Sequence, residues 1–181
     1  MIKKTQSSIA LILIIPTTRQ LVQIQVHKVL AIFAPSIESE TDRAQIKNYN
    51  WNLVDLDNKV YNFRQAENKI VLISFWATWC PPCIAELPSM QQLYETYKDK
   101  IEFVFVSNEK PETIKAFMNK NEYTFKVYNP IDAPSIELFN VNSIPRTFLI
   151  NQKGEVVIHK NGAANWNSDA VKTVINKFLN D

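Results

Sequence analysis

A short apolar run that ends in Cys80-Pro81-Pro82-Cys83 and then turns helical restricts what this chain can fold into more than any other feature. Ile70-Val71-Leu72-Ile73-Ser74-Phe75-Trp76 has the length and the β-branched, aromatic content of a buried parallel strand. After the cysteines, Ile84, Leu87, Met90 and Leu93-Tyr94 recur every three or four positions. Glu86 lies early in that stretch and Lys98 and Lys100 late, the charge order a helix dipole favours. The chain has 2 cysteines in all, and both therefore sit at a helix N-terminus.

Free amides and the positive end of the dipole favour a thiolate there, and the thiolate is the reacting form of cysteine. Cys80 precedes the helix and is the more exposable of the pair, so it is expected to attack. Cys83, one turn in, is expected to resolve the mixed disulfide that forms on Cys80. Pro81 and Pro82 suit a first helical turn, where a missing N–H matters little, and they stiffen the short loop between the sulfurs. Trp76 and Trp79 bracket the motif. Trp76 is expected in the core or the groove wall, Trp79 over Cys80 and against partners.

With these residues, with Glu86 and Pro88 just beyond them, and with the distant Ser143-Ile144-Pro145-Arg146-Thr147-Phe148-Leu149-Ile150, the chain resembles the TlpA/ResA-type thioredoxin-like thiol-disulfide oxidoreductases. These are extracytoplasmic and membrane-tethered, and the resemblance covers roughly Asn48 to Asp181. It implies an α/β thioredoxin fold: a central mixed β-sheet flanked by helices, with an N-terminal β-hairpin extension and a small central insertion. It also implies a cis bond before Pro145, facing the cysteines, so that Ile144 pairs with an extended substrate segment. Trp79, Pro82, Ile144 and Pro145 are then the expected substrate groove. No cofactor is implied beyond the redox-active Cys80–Cys83 disulfide. The implied partners are a disulfide-bearing exported client, apocytochrome c being typical of the family, and a membrane electron donor.

One departure is informative. Thioredoxins carry a buried aspartate six residues before the first cysteine, and this chain has Ser74 there. Glu86 lies three residues after Cys83, on the same helical face one turn on. By spacing alone it is either a solvated first-turn glutamate or a buried base. The resemblance places the family's functional glutamate at that position, where burial would raise its pKa toward neutrality and let it take the Cys83 proton.

The first 40 residues have a different character. Lys3 and Lys4 precede the apolar stretch Ile9 to Ile15, the pattern of a secretory signal or signal-anchor, and too short to span a bilayer, which takes about twenty residues. Val22, Val26, Val29, Leu30 and Phe33 then follow helical spacing, with Gln23, Gln25 and Lys28 on other sides. Residues 1–35 are expected to hold the protein at the outer face of the inner membrane, unless the leader is cleaved and the domain released to the periplasm. Residues 36–47 read as a polar tether and 48–181 as the thioredoxin-like domain.

Within that domain, Leu53 to Leu56 and Val60 to Phe63 predict a hairpin, and Ile101 to Ser107 a strand. Pro111 to Lys120 is expected to be helical, Phe125 to Tyr128 a short strand of the central insertion, and Ser135 to Phe139 a short helix. Thr147 to Ile150 and Val156 to Lys160 predict a second hairpin, with Ser168 capping a closing helix to Leu179.

Other chemistries fit poorly. A net charge of +2, with no basic run among aromatics, gives no nucleic-acid signal. His159 is too isolated to complete a zinc site with two cysteines, His27 belongs to the leader, and no metal is expected. Arg146 reads as surface charge or as a guide for acidic partners. A peroxiredoxin-like peroxidase wants a hydroxyl residue three before its cysteine, where this chain has Ala77. A copper chaperone of this fold wants three residues between its cysteines, where this chain has two.

Overall fold

The computed structural model describes residues 16–180, so the basic and apolar leader expected before Pro16 lies outside the described residues. Strands β1 (Asn52–Asp55), β2 (Val60–Asn62), β3 (Val71–Phe75), β4 (Glu102–Val106), β5 (Val127–Pro130), β6 (Arg146–Ile150) and β7 (Val156–Asn161) form one sheet, in the order β2-β1-β5-β4-β3-β6-β7. β3 is parallel to β4 and antiparallel to β6, and all its residues are buried. Cover on both faces explains why its sequence is an unbroken apolar run rather than an alternation.

The helices are α1 (Pro16–Leu30), α2 (Pro81–Tyr97), α3 (Pro111–Asn121) and α4 (Asp169–Asn180). Leu72, Phe103 and Phe105 share one core cluster with Leu87, Met90 and Leu93 of α2, Ile114 of α3 and Ile175 of α4. Neighbouring strand residues point the other way, as the pleat requires, and Val71, Ile73, Phe75 and Val104 join a second cluster around Trp51, Phe63 and Phe139. The β1–β2 hairpin thus carries an aromatic cover for the face the three helices leave open. Trp51 lies 6.2 Å from Phe63 and 5.9 Å from Phe139, ring centre to ring centre.

Several segments differ from their sequence pattern. β5 begins at Val127 rather than Phe125, because the Phe125 ring is taken into the core, stacked 4.0 Å from Phe105. β5 is also no excursion: it pairs parallel with β4 and antiparallel with β1, which ties the hairpin into the sheet. Ser135 to Phe139 shortens to a single 3-10 turn, Glu137–Phe139. Ser168 does cap the last helix, accepting from the Val171 amide at 3.4 Å.

Residues 36–47, polar enough to read as a tether, are seated along the outer edge of β7. Glu38 N–H donates to Val157 O, Val156 N–H to Ala44 O and Ile46 N–H to Gly154 O, each at 2.8 Å. An edge strand offers unpaired amides and carbonyls, and this stretch covers them. Gly154 makes the seating possible. Its φ is +78°, and a Cβ there would lie 2.8 Å from Ile46 O and 2.9 Å from the Tyr49 hydroxyl. Gly154→Ala is therefore expected to destabilise the domain by about 1–3 kcal/mol in denaturant unfolding. An unchanged midpoint would show that the contact yields freely.

α1 lies alongside α2. Leu21, Val22, Val26 and Val29 are exposed on it, as are Ile32 and Phe33 just beyond. Among the described residues no helix is long and apolar enough to cross a membrane.

Candidate active site

β3 delivers the chain to the motif and α2 receives it. Trp76 N–H still follows the sheet, donating to Val106 O at 3.0 Å, after which the backbone leaves for Cys80. Cys80 is the N-cap of α2, with Pro81 and Pro82 opening the helix and the Cys83 amide donating to Cys80 Sγ at 3.3 Å. The two sulfurs are joined as a disulfide, the Cα atoms 5.2 Å apart. Cys80 is 3% exposed and Cys83 0%, so in this form the sulfur expected to attack is itself covered. Trp79, by contrast, is 63% exposed.

The loop before Cys80 is held by a carboxylate that sequence reasoning missed. Glu109, in the loop between β4 and α3, accepts from the Thr78 amide at 2.6 Å and from the Thr78 hydroxyl at 2.7 Å. Asn129 on β5 steadies that loop in turn, donating its amide to Ser107 O at 2.5 Å and Glu109 O at 2.9 Å. The signal was faint: nothing in the spacing of Thr78 and Glu109 pairs them until β3 and β4 lie side by side.

The Ile144–Pro145 bond is cis. Beside the motif opens a cleft of about 820 Å³, with Trp79, Trp51, Phe75, Glu109, Asp132 and Ile144 in its lining. It joins Trp79 to Ile144, two of the four groove residues read from the sequence. Pro145 is buried and Pro82 is half-buried in the first turn of α2, and neither lines the cleft.

Glu86 is only 1% exposed. Its Oε2 accepts from the Ala164 amide and from the Trp166 indole N–H, both at 3.1 Å. Its Oε1 is buried with no hydrogen-bond partner among the described residues. Burial is the dominant influence and pushes the carboxyl up from its ordinary 4.5 to about 8, against the opposing pull of the Trp166 and Ala164 hydrogen bonds and of the Lys160 charge. Trp166 and Ala164 also escaped notice in the sequence. They belong to an unpatterned turn after β7 that only the tertiary fold brings to α2. Ser74, at the position where thioredoxins carry an aspartate, is buried and accepts from the Thr147 hydroxyl at 2.8 Å.

His159 packs its ring 4.5 Å from Phe148, and burial, then the Arg146 charge, lowers its pKa. The Arg146 guanidinium lies 5.9 Å from the centre of the same Phe148 ring. Both side chains pack against the Phe148 ring.

Residues 43–159 match the AhpC/TSA family. The chain is similar to the thiol-disulfide oxidoreductase ResA of Halalkalibacterium halodurans, 34% identical over 123 residues that cover 66% of this chain and 70% of that protein. It is 37% identical over 111 residues to the thioredoxin-like protein YneN of Bacillus subtilis, covering 59% of this chain and 64% of the relative. Among solved structures, a thioredoxin-family thiol:disulfide interchange protein from Chlorobium tepidum superposes with a TM-score of 0.61 at 25% identity, over 76% of this chain and 99% of that one. StoA from Bacillus subtilis shares the fold, with a TM-score of 0.55 at 21% identity, over 72% of this chain and 96% of that one.

Proposed function

We propose, from the premise that this chain belongs to the AhpC/TSA family and within it to the ResA-type thiol-disulfide oxidoreductases, that it reduces disulfides of exported proteins. The observation that carries this reading is the Cys80–Cys83 disulfide at the N-terminus of α2 with a buried carboxyl one turn further on. In the reduced protein the Cys80 thiolate attacks a client S–S bond, one client sulfur leaves with the electron pair, and a Cys80–client disulfide forms. Glu86 takes the proton from Cys83, whose thiolate attacks Cys80 Sγ. The client is released with both of its sulfurs reduced, and the disulfide seen in the structure is the product.

Turnover in an oxidising compartment requires recharging with two electrons, which we assign to a membrane dithiol donor. The exposed apolar face of α1 (Leu21, Val22, Val26 and Val29) supports a seat on the outer face of the inner membrane, where such a donor is within reach. Apocytochrome c is the proposed client by family likeness. Ala77 offers no hydroxyl three residues before Cys80, which disfavours peroxide as substrate.

The test is insulin reduction together with the Cys80/Cys83 midpoint potential. Turnover with a potential near that of thioredoxin, about −270 mV, is expected. A value near −120 mV, typical of a strong oxidant, would reverse the direction of electron flow.

A further inference from the structure

We propose that Trp166 is a positioning residue for the resolving step: its indole N–H, with the Ala164 amide, pins Oε2 of Glu86 and leaves Oε1 as the oxygen that receives the Cys83 proton. The inference rests on Glu86 as the base of the proposed reaction.

A carboxyl one turn from Cys83 on a helix has two equivalent oxygens and free torsions, so its position has to be imposed from outside the helix. The turn after β7 imposes it. Trp166 is fully buried, and its backbone is fastened to the same helix, its amide donating to Ser89 Oγ at 3.1 Å while that hydroxyl donates to Glu86 O at 2.8 Å. Backbone and indole of one residue therefore grip α2 at adjacent points. Both donors to the carboxyl fall on Oε2, while Oε1 is equally buried and has no partner among the described residues. A buried, unpartnered acceptor is costly in a finished core. In a proton-transfer site it is the vacant lone pair that the incoming proton needs.

The resolving step balances on these atoms. Cys83 S–H gives its proton to Oε1. The thiolate attacks Cys80 Sγ, the Cys80–client bond breaks, and the electron pair leaves on the client sulfur. Glu86 is then a neutral acid. The structure holds the protein in that disulfide state, and a neutral carboxyl is what burial favours there. The charge facing Glu86 from β7 is Lys160, and on its own helix the nearest group that titrates in the reduced form is Cys83.

An N–H bond to the charged form lowers a carboxyl's proton affinity, so losing the indole donor raises it. Trp166→Phe keeps an aromatic ring in the core and removes the donor. Rapid mixing of the reduced protein with a peptide disulfide, following release of the peptide thiol between pH 6 and 10, measures the step. The midpoint of the rising limb is expected to move up by about one pH unit, which slows release roughly tenfold at pH 7 and leaves it little changed above pH 9.5. In a Glu86→Gln background the same substitution is expected to leave the profile unmoved, because the group it acts through is gone. Circular dichroism melting identifies loss of folding, and Trp166→His, which restores a ring N–H, is expected to recover part of the shift.

If Glu86→Gln changes the profile and folded Trp166→Phe does not, Trp166 is core packing only and the inference falls. If Trp166→Phe lowers the rate equally at every pH, the effect is structural and the inference falls equally. If Glu86→Gln itself leaves the profile unchanged, the base assignment fails first.

Discussion

Cys83→Ser is expected to turn a catalyst into a trap. With the resolving sulfur gone, Cys80 still attacks a client disulfide, but the mixed disulfide has no internal thiolate to break it. Turnover of insulin is expected to fall on the order of a thousandfold or more, and a covalent adduct to appear on non-reducing gels and disappear with dithiothreitol. Cys80→Ser loses turnover to the same extent and forms no adduct. The asymmetry tests the order of the two sulfurs. In the disulfide form Cys80 is 3% exposed and Cys83 0%, too small a difference to decide between them by exposure alone. Position decides: Cys80 is the N-cap, outside the helix, and Cys83 lies within its first turn. Alkylation of the reduced protein should therefore label Cys80 first. Adduct formation by Cys80→Ser instead of Cys83→Ser would exchange the two roles.

The strand, the motif and the helix behind it were legible in the sequence because each is a local pattern: an apolar run, a fixed spacing and a period near 3.6. Glu86 was half legible. Its place one turn beyond Cys83 follows from numbering, but its burial depends on the turn that carries Ala164 and Trp166, far along the chain and without periodicity. Glu109 was hidden for the same reason, since its bond to Thr78 exists only because β4 lies beside β3. Residues 36–47 misled in the opposite direction. Ser39, Glu40, Thr41 and Asp42 are polar because their side chains face water, yet amides and carbonyls from Glu38 to Ile46 pair along β7 and with its turn, and composition does not report on backbone. The Phe125 misplacement has a similar root. An aromatic residue beside a valine looks like a strand residue, and the core took its ring before the strand began.

Glu86→Gln is expected to slow resolution and to stabilise the fold, both effects being absent near pH 4 and largest near pH 8. The folded protein holds the Glu86 proton up to about pH 8, whereas the unfolded chain releases it near 4.5. Below the lower value both states are protonated and the residue behaves as a neutral amide would. As the pH rises from there to about 8 the unfolded state sheds a proton that the folded state keeps, and stability falls by about 1.4 kcal/mol per pH unit, levelling off once the folded carboxyl also ionises. Glutamine fills the same space and carries no such dependence. Denaturant melts should coincide for the two proteins near pH 4. At pH 8 the variant should be more stable by several kcal/mol, on the order of the full effect of the window. Over the same range its peptide-thiol release should lose the limb that rises near pH 8 and run about 10²–10⁴-fold slower at the top of the profile. Stability that is costly at the pH where activity rises is the mark of a charge placed for chemistry rather than for folding. Parallel melts at pH 4 and pH 8 would show instead that Glu86 meets water in the folded protein, and a base in contact with water has no reason to titrate near 8.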